Sequence, residues 1–315
     1  MTDSSLGVAE RLVHRAGVRW LLFGSGMLFG LSAILAKLAT RGPGGMTGPQ
    51  ATTVRFVLGL AFILLLFRAR PGTWRPVQGW LLAARGLFGG LAAVLYFVAI
   101  SRISPGEATL LNKTFPFWAV VLSCFVLRER PTLHLALALA VAGAGVFLVL
   151  GGGHASFHVG SGQAIALLSG VLGGAAVTAI RALRATDNAP TIFFAFSVGS
   201  LAVSAPFAGG AWPTSPGPWL AALGVGVVAF FAQLLMTQAY GELSVPEAAI
   251  WQQLTPIASY GWSLTIGERL TPWTIVGVLL GTAGIVYGAV LGHRSMPGAR
   301  PEERAAAEGI PLEEP

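Results

Sequence analysis

The sequence predicts an all-α membrane protein of ten transmembrane helices, arranged as two inverted five-helix repeats. Three observations lead to this fold class. The chain of 315 residues is 54% hydrophobic and only 10% charged, with a mean hydropathy of +0.70. Its apolar stretches are each close to the ~20 residues that cross a hydrocarbon core. A motif of the first half also recurs about 140 residues later in the chain, which indicates an internal duplication.

Composition excludes several other classes of protein. A soluble domain carries about a quarter charged residues, far more than this chain. The formal net charge is +7, but the arginines lie between apolar segments and form no basic stripe, so we expect no nucleic-acid partner. The single cysteine, Cys124, excludes an internal disulfide and a thiolate metal cluster. No metal or cofactor motif is present in the sequence, and we expect no cofactor.

The predicted spans follow one another with short connections. They lie near 18–39, 50–68, 77–100, 105–127, 132–150, 161–184, 190–210, 216–240, 246–267 and 272–291. The first is too long for a signal peptide and lacks a clean cleavage site, so we interpret it as a retained helix. We therefore expect a cytoplasmic N-terminal segment at 1–16, repeats at 17–150 and 161–292, and a disordered cytoplasmic tail at 293–315.

The duplication aligns polar residues as well as apolar segments. The motif Ser104-x-x-Glu107 recurs as Ser244-x-x-Glu247, and Pro116 recurs as Pro256. Secondary transporters are commonly built from such repeats. Because each predicted repeat has five helices, an odd number, the second repeat must enter the membrane upside down.

Arginine placement predicts the orientation. With the N-terminus inside, twelve arginines lie at inner ends and three in outer loops: Arg11, Arg15, Arg19, Arg68, Arg70, Arg75, Arg128, Arg130, Arg184, Arg294, Arg300 and Arg304 against Arg41, Arg102 and Arg269. This positive-inside bias predicts that both termini are cytoplasmic. We expect a multi-pass protein of the bacterial inner membrane.

Glu107 and Glu247 each complete a predicted helix cap. In the pattern Ser-x-x-Glu the serine accepts from the amide three residues on, and the glutamate reaches back to the serine amide. Proton coupling is the alternative role for the two carboxylates. Capping is the simpler interpretation.

Pro116 and Pro256 are predicted to mark a central site. Each lies about twelve residues into its span, roughly 17 Å deep at the rise of an α-helix. Proline leaves the carbonyl four residues earlier without its helical partner. Those carbonyls belong to Asn112 and Gln252, which are followed by Lys113 and Gln253. A substrate site at the midplane is favoured over the alternative, in which the prolines only bend the helices and the amides join neighbours.

Lys113 is the most costly residue of the chain to place in a bilayer. A cation at this depth is a functional-site candidate, and it could attract a carboxylate substrate. Alternatively, the side chain could snorkel, lose its proton, or pair with Glu247 or a carbonyl. Four other candidates lie on polar stripes or beside these pairs, where they could line a cavity or join helices: Arg85, Tyr96, Gln233 and Trp251.

The motifs together resemble the EamA-type members of the drug/metabolite transporter superfamily. The resemblance rests on Arg55-Phe56, on Ser104-x-x-Glu107-Ala108 with Pro116, and on Gly267-Glu268-Arg269-Leu270-Thr271, and it covers about residues 17–292. It implies a ten-helix alternating-access carrier with cytoplasmic termini, often an exporter of amino acids or related metabolites. Lys113 departs from the commoner neutral residue of that family.

We therefore predict a secondary transporter rather than an enzyme. The expected cargo is a small polar or amphipathic metabolite, such as an amino acid or other carboxylate. The expected partners are this small molecule and the lipid bilayer, with the protein a monomer or weak homodimer. A membrane-embedded enzyme acting on a lipid or prenyl substrate is the alternative. It would need a cluster of Asp, His or Ser nucleophiles, which the sequence does not show.

Overall fold

The computed structural model describes residues 8–115, 117–118, 160–239, 254–267 and 271–287, with isolated helical positions 137, 140, 141, 143–145 and 148. These residues contain helices and connecting loops. The helices are α1 Val8–Thr40, α2 Gly48–Ala69, α3 Gly79–Arg102, α4 Pro105–Asn112, α5 Ser161–Leu183, α6 Ala189–Ser204, α7 Pro216–Ala239, α8 Leu254–Ser263 and α9 Pro272–Tyr287. Short 3-10 turns, Ala205–Phe207 and Leu264–Ile266, follow α6 and α8.

Six helical stretches of the described chain are long and apolar enough to cross a membrane. They are Trp20–Thr40, Gly48–Ala69, Gly79–Arg102, Ser161–Ile180, Ala189–Phe207 and Pro216–Ala239. Each coincides with a span expected from the sequence. A shorter apolar helix, Pro272–Gly284, falls on the tenth expected span. The fourth, fifth and ninth expected spans are described only in part, so the structure shows spanning length for six of the ten expected helices.

Exposed aromatic and aliphatic side chains cover the outside of the helix bundle. Trp20 and Trp80 are 67% and 74% exposed, and Leu65 and Leu220 are similarly open. A soluble monomer rarely exposes so much contiguous apolar surface. Lipid contact explains this surface, because tryptophans gather near the two interfaces of a bilayer.

At each end of the bundle, hydrogen bonds join described loops and helix ends of the two repeats. At face A, which we define by the loops 41–47 and 205–215, Gln50 Nε2 donates to the Ala211 carbonyl at 3.2 Å. At face B, defined by the loops 70–78 and 184–188, Val77 N donates to Asp187 Oδ1 at 2.8 Å. Asn188 Nδ2 also donates there to the Thr73 carbonyl at 2.7 Å. Because each of these loops is thereby assigned to one end of the bundle, the direction of the helices that enter and leave it is known.

Helices α1 and α5 run in opposite directions. Helix α1 runs from face B to face A, because it is followed by the loop 41–47. Helix α5 begins at face A, where Arg102 Nη1 at the end of α3 donates to Ser161 Oγ at 3.2 Å. It ends at Leu183, beside the face B loop. The second repeat is therefore inverted relative to the first within the part of the chain that the structure describes.

Helix packing follows the same pseudo-two-fold relation. Exchanging α1 with α5, α2 with α6, α3 with α7 and α4 with α8 maps the main contacts onto one another. Helix α1 packs on α7 as α5 packs on α3, and α1 packs on α8 as α5 packs on α4. The pairs α2–α6 and α4–α8 map onto themselves. The axis of the relation therefore passes between the helices of these two pairs.

Close glycine contacts repeat this relation at single residues. A Cβ built on Gly199 of α6 would collide with the backbone of Gly86 on α3. In the equivalent contact between α7 and α2, a Cβ on Gly226 would lie 3.0 Å from Leu58 Cβ. Glycine allows the two backbones to approach closely, and such packing holds membrane helices together where hydrophobic burial gives no driving force.

Candidate substrate-binding site

Helix α4 starts with a cap and stops within the expected fourth span. Ser104 Oγ accepts from Glu107 N at 3.1 Å, and Pro105 occupies the first turn, where its missing N–H costs little. The helix ends at Asn112, and Lys113 and Thr114 form a turn. The sequence predicted one helix through 105–127 with a bend at Pro116. The structure interrupts the helix at Lys113 and Thr114, before the proline, and Phe115, Phe117 and Trp118 are helical again; residues 119–127 lie outside the described part.

Two features of the sequence account for the break. Thr114 Oγ1 donates to the Leu111 carbonyl at 2.7 Å, so a side chain takes a carbonyl that a helical amide would otherwise use. The residue four positions after Asn112 is proline, which has no amide hydrogen to donate to the Asn112 carbonyl. An interrupted helix at membrane depth is tolerated only where it is buried in protein or lines a cavity.

Lys113 lies at this break and is buried. Only 7% of the residue is exposed. Its Nζ is 5.2 Å from the ring centroid of Phe29 on α1 and 5.2 Å from that of Phe115. The amine therefore points toward α1, between two aromatic rings. A cation is attracted by the face of an aromatic ring, but each such contact contributes only about 0.5–2 kcal/mol.

Asn112 points to a different helix from Lys113. Its Nδ2 donates to Ser169 Oγ on α5 at 3.0 Å, and Ser169 in turn donates to the Ala166 carbonyl at 2.6 Å. This amide joins α4 to α5. Of the two adjacent residues predicted to share a site, the structure therefore places Asn112 in an interhelical contact and Lys113 beside α1.

A row of hydroxyl groups connects α3, α4 and α8. Tyr96 Oη and Thr109 Oγ1 are 2.7 Å apart, and Thr109 Oγ1 lies 3.2 Å from Ser259 Oγ. Thr109 and Ser259 are fully buried. Thr109 is one helical turn before Lys113, so the hydroxyl row and the amine lie on one side of α4. This arrangement gives one wall of the candidate site.

Helices α2 and α3 each contain a buried arginine, Arg55 and Arg85. Arg55 is 9% exposed and Arg85 is 4% exposed. The Arg55 Cζ is 4.9 Å from the Phe56 ring centroid, and the Arg85 Cζ is 3.9 Å from that of Phe196. Placing an arginine at the centre of a membrane helix costs at least ~2.5 kcal/mol. The aromatic contacts offset only part of this cost.

Glu107 and Gln233 have partners in the structure. Glu107 Oε1 accepts from Gln163 Nε2 of α5 at 3.0 Å, which joins α4 to the start of the second repeat. Gln233 is buried on α7, and its Nε2 donates to Thr237 Oγ1 at 3.3 Å within the same helix. Neither contact brings these two side chains to Lys113.

The comparisons with known proteins agree with the inverted architecture. The chain matches the EamA-like transporter family twice, over residues 17–151 and over residues 160–288. The two matched segments cover most of the 315 residues. The chain belongs to the EamA-like transporter family. This confirms the resemblance found in the sequence, and it supports a multi-pass membrane transporter.

This EamA-like transporter is also similar to named relatives. It is 30% identical over 241 residues to the pseudopaline exporter CntI of Pseudomonas aeruginosa, in each of two strains. The aligned part covers 74% of this chain and 84% of the exporter. One solved crystal structure superposes with a TM-score of 0.62 at 21% identity, covering 89% of this chain and 98% of the other. That likeness concerns the fold alone.

Several predicted site residues lie outside the described part of this EamA-like transporter. They are Pro116, Glu247, Trp251, Gln252 and Gln253. Of the matched pair Asn112 and Gln252, the structure therefore describes only Asn112. Pro256 is described: it is buried in α8, the helix that contacts α4.

Sequence reasoning missed two hydroxyls and undervalued one arginine. Thr109 follows Pro105 and precedes Lys113 by one turn each, so helical spacing alone would have placed all three on one face. Ser259 gave no comparable signal, because serine is common in apolar helices as a packing residue. Arg55 entered only as a mark of the family, although a charge in mid-span is a functional candidate by default.

Proposed function

We propose that this EamA-like transporter exports a small polar or amphipathic metabolite, such as an amino acid or other carboxylate, by alternating access. One observation carries the proposal: a buried lysine lies where α4 is broken in mid-span. Transporter sites typically form at broken helices between inverted repeats, near the midplane. The family and the exporter relative support the direction of transport.

Lys113 would contact the negative group of the cargo in this proposal. It lies at the junction of α4 with α1 and near the row formed by Tyr96, Thr109 and Ser259. Hydroxyls can donate to or accept from a polar cargo, and the amine supplies charge. A charge contact in a partly hydrated site could contribute several kcal/mol, about 4 kcal/mol at 4 Å and an effective dielectric of 20.

The proposed location is the bacterial inner membrane, with both termini in the cytoplasm. In that orientation face B is cytoplasmic. The exposed arginines Arg68, Arg70 and Arg75 lie at face B, and Arg41 and Arg102 lie at face A. The excess of positive charge at face B supports this orientation. The boundaries 1–16, 17–150, 161–292 and 293–315 remain the proposed domain division.

Catalysis has no support in the residues that the structure describes. Among them, no group of three or more His, Cys, Asp or Glu side chains could hold a metal ion. No specific observation favours the lipid- or prenyl-modifying enzyme over the transporter. We propose a transporter without enzymatic activity and without a cofactor.

Lys113→Met tests the proposal in proteoliposomes. Efflux of amino acids and other carboxylates is measured with and without a pH gradient, beside expression and thermal stability of the same protein. We expect the variant to fold, to be at least as stable as the wild type, and to lose transport of the anionic cargo. Lys113→Arg should transport poorly, since a planar guanidinium has a different reach from an amine.

Lys37→Met is the matched control. Lys37 Nζ donates to the carbonyls of Ile100 and Ile103 at 2.9 and 2.8 Å, so it stabilises the end of α3. Its loss should lower thermal stability but leave transport per folded molecule intact. Normal transport by a stable Lys113→Met protein would contradict the proposed role of Lys113.

A further inference from the structure

Arg55 and Arg85 approach one aromatic pair from opposite ends of the bundle. Arg55 lies about 10 Å from the face A end of α2, and Arg85 about 9 Å from the face B end of α3. Arg55 contacts the ring of Phe56, and Arg85 contacts the ring of Phe196. The two rings meet edge to face with centroids 4.9 Å apart. Both guanidinium groups therefore contact members of the same pair of rings.

No carboxylate neutralises these two charges within the described residues. Asp187 is the one buried acidic residue there. Its oxygens accept from Val77 N and from Thr186 Oγ1, at face B. Arg85 Nε is buried and has no hydrogen-bond partner among the described atoms. The Arg85 guanidinium is thus buried beside Phe196 and against Gly89, with one donor that has no described partner.

Tyr96 links this arginine pair to the Lys113 side of the bundle. Arg55 Cζ is 5.5 Å from the ring centroid of Phe97, and that ring lies 5.9 Å from the ring of Tyr96. Its hydroxyl group is 2.7 Å from Thr109 Oγ1, and Thr109 is one turn from Lys113 on α4. A cargo lying along Tyr96 would therefore reach both positive regions.

We propose that Arg55 and Arg85 together bind a second anionic group of the cargo. The cargo is then a metabolite with at least two negative groups, such as a dicarboxylate. One group contacts Lys113, and the other is held by the arginine pair, whose forked donors suit an oxyanion. This inference rests on the proposed function, because it assigns the cargo of the same site. It also gives a reason why two buried cations are retained in an apolar bundle.

Thermal unfolding of the purified protein tests this inference. The probes are glutarate, citrate and inorganic phosphate, with acetate as the single-charge comparison, all at equal ionic strength. A ligand that binds only the folded state raises the melting temperature according to its affinity. We expect glutarate or citrate to stabilise the wild type more than acetate does. A larger shift with phosphate than with either carboxylate would identify the oxyanion as phosphate.

Substitutions then assign the effect to the arginines. Arg55→Met and Arg85→Met should each lose at least tenfold in affinity for the dianion. Without ligand, they should melt at or above the wild-type temperature, because an uncompensated charge is gone. Arg85→Lys should bind with intermediate affinity, since it keeps the charge but not the fork. Arg68→Met, at the exposed end of α2, is the matched control and should behave like the wild type.

Three results would overturn the inference. One is that no doubly charged probe stabilises the wild type more than acetate does. Another is that either methionine variant binds the dianion as the wild type does. The third is that ligand-free Arg85→Met unfolds at a lower temperature while Arg85→Lys stays stable and binds normally, as a purely structural cation would require.

Failure of this inference is distinguishable from failure of the proposed function. If Lys113→Met abolishes transport of monocarboxylates while the arginine variants bind and transport normally, the transporter function stands and the second anion site does not. If no carboxylate or amino acid moves in proteoliposomes, the proposed function fails. In either case, thermal unfolding with the anionic probes shows whether Arg55 and Arg85 bind a dianion.

Discussion

The hydrogen bonds of buried polar residues separate structural side chains from candidate ligands. Thr109 Oγ1 lies within hydrogen-bond distance of the Pro105 carbonyl and of two other hydroxyls, so the fold itself satisfies it. Arg85 is equally buried, yet its Nε has no partner in the described structure. An unsatisfied donor costs about 1–3 kcal/mol when buried. An anion bound in the proposed site would give this donor a partner.

Glu107→Gln is expected to retain transport. In the structure Glu107 Oε1 accepts from Gln163 Nε2, and its amide donates to Ser104 Oγ. The amide oxygen of glutamine accepts as the carboxylate does, so the contact with α5 and the cap survive. Gradient-driven transport and substrate exchange, measured on the same preparation, check this expectation.

Glu107→Leu provides the comparison, since it removes the acceptor that Gln163 uses and should lower the stability by about 1–3 kcal/mol. Proton coupling by Glu107, the competing role, makes a different prediction for Glu107→Gln. If Glu107→Gln folds and exchanges substrate normally but no longer responds to a pH gradient, then Glu107 carries the coupled proton and capping is not its main function.

For single residues, the position along the helix could be predicted from the sequence, but the neighbour toward which each side chain points could not. The sequence places Asn112 and Lys113 deep in the fourth expected span, and the structure puts them at the end of α4, with Lys113 buried. Adjacent residues on a helix point about 100° apart, so the pair cannot share one surface without a local distortion. The neighbours of each, Ser169 for the amide and Phe29 for the amine, come from elements that the sequence alone does not orient.

At the element scale, close backbone contacts hold the repeats together at α3 and α6. Gly86 and Gly199 lie backbone to backbone, and a Cβ on Gly86 would be 2.8 Å from the Ala195 carbonyl oxygen. The equivalent contact, Gly226 against Leu58, meets a side chain instead. Backbone atoms cannot rotate aside, whereas a leucine side chain can adopt another rotamer.

Gly199→Ala is therefore expected to be more damaging than Gly226→Ala. Overpacking a tight contact costs about 1–3 kcal/mol, and Gly199→Ala should approach the upper end because its neighbour is backbone. Gly226→Ala should cost less, since Leu58 Cδ1 at 2.5 Å can rotate aside and Leu58 Cβ at 3.0 Å has to shift by only a few tenths of an ångström. Gly261→Ala, where a Cβ would meet nothing within 4 Å, is the control and should be neutral.

Melting temperatures of the three purified variants in one detergent would measure this order. Equal melting temperatures for Gly199→Ala and Gly261→Ala would show that α3 and α6 are not held in close contact. A Gly226→Ala protein less stable than Gly199→Ala would show that Leu58 cannot change its rotamer.

Helices could be predicted where the apolar pattern was continuous, and the helix break could not be located. Six expected spans agree with the structure to within a few residues. Helix α4 ends earlier than expected, because the hydroxyl of Thr114 competes for the Leu111 carbonyl. The sequence shows that Pro116 frees a carbonyl. It does not show that the hydroxyl of Thr114 will adopt the rotamer that donates to the neighbouring Leu111 carbonyl.

On the scale of the whole molecule, the inverted repeat separates a scaffold from a site. Hydrogen bonds join the two repeats beside α2, α3 and α6, through Gln50 and Ala211 at one end and Asp187 and Val77 at the other. The pseudo-two-fold relation maps the pair α4–α8 onto itself, and this pair contains the interrupted helix α4. The inversion could be predicted from an odd number of helices per repeat. The partners of each helix could not, because they depend on contacts between the repeats.

Labelling of single cysteines tests the two faces directly. Cys124 is the one native cysteine, so Cys124→Ala gives a clean background. In whole cells we expect a membrane-impermeant thiol reagent to label Arg41→Cys and Arg102→Cys, which lie at face A. Arg70→Cys and Arg184→Cys, at face B, should be labelled only after the membrane is permeabilised. A reporter fused at residue 315 should be active in the cytoplasm.

The labelling pattern separates the fold from its orientation. Labelling of both face B cysteines in intact cells, with both face A cysteines protected, would reverse the orientation but keep the inverted repeat. Labelling of Arg41→Cys and Arg184→Cys from the same side would contradict the repeat itself. In that case α1 and α5 could not run in opposite directions, because Arg41 follows the end of α1 and Arg184 follows the end of α5.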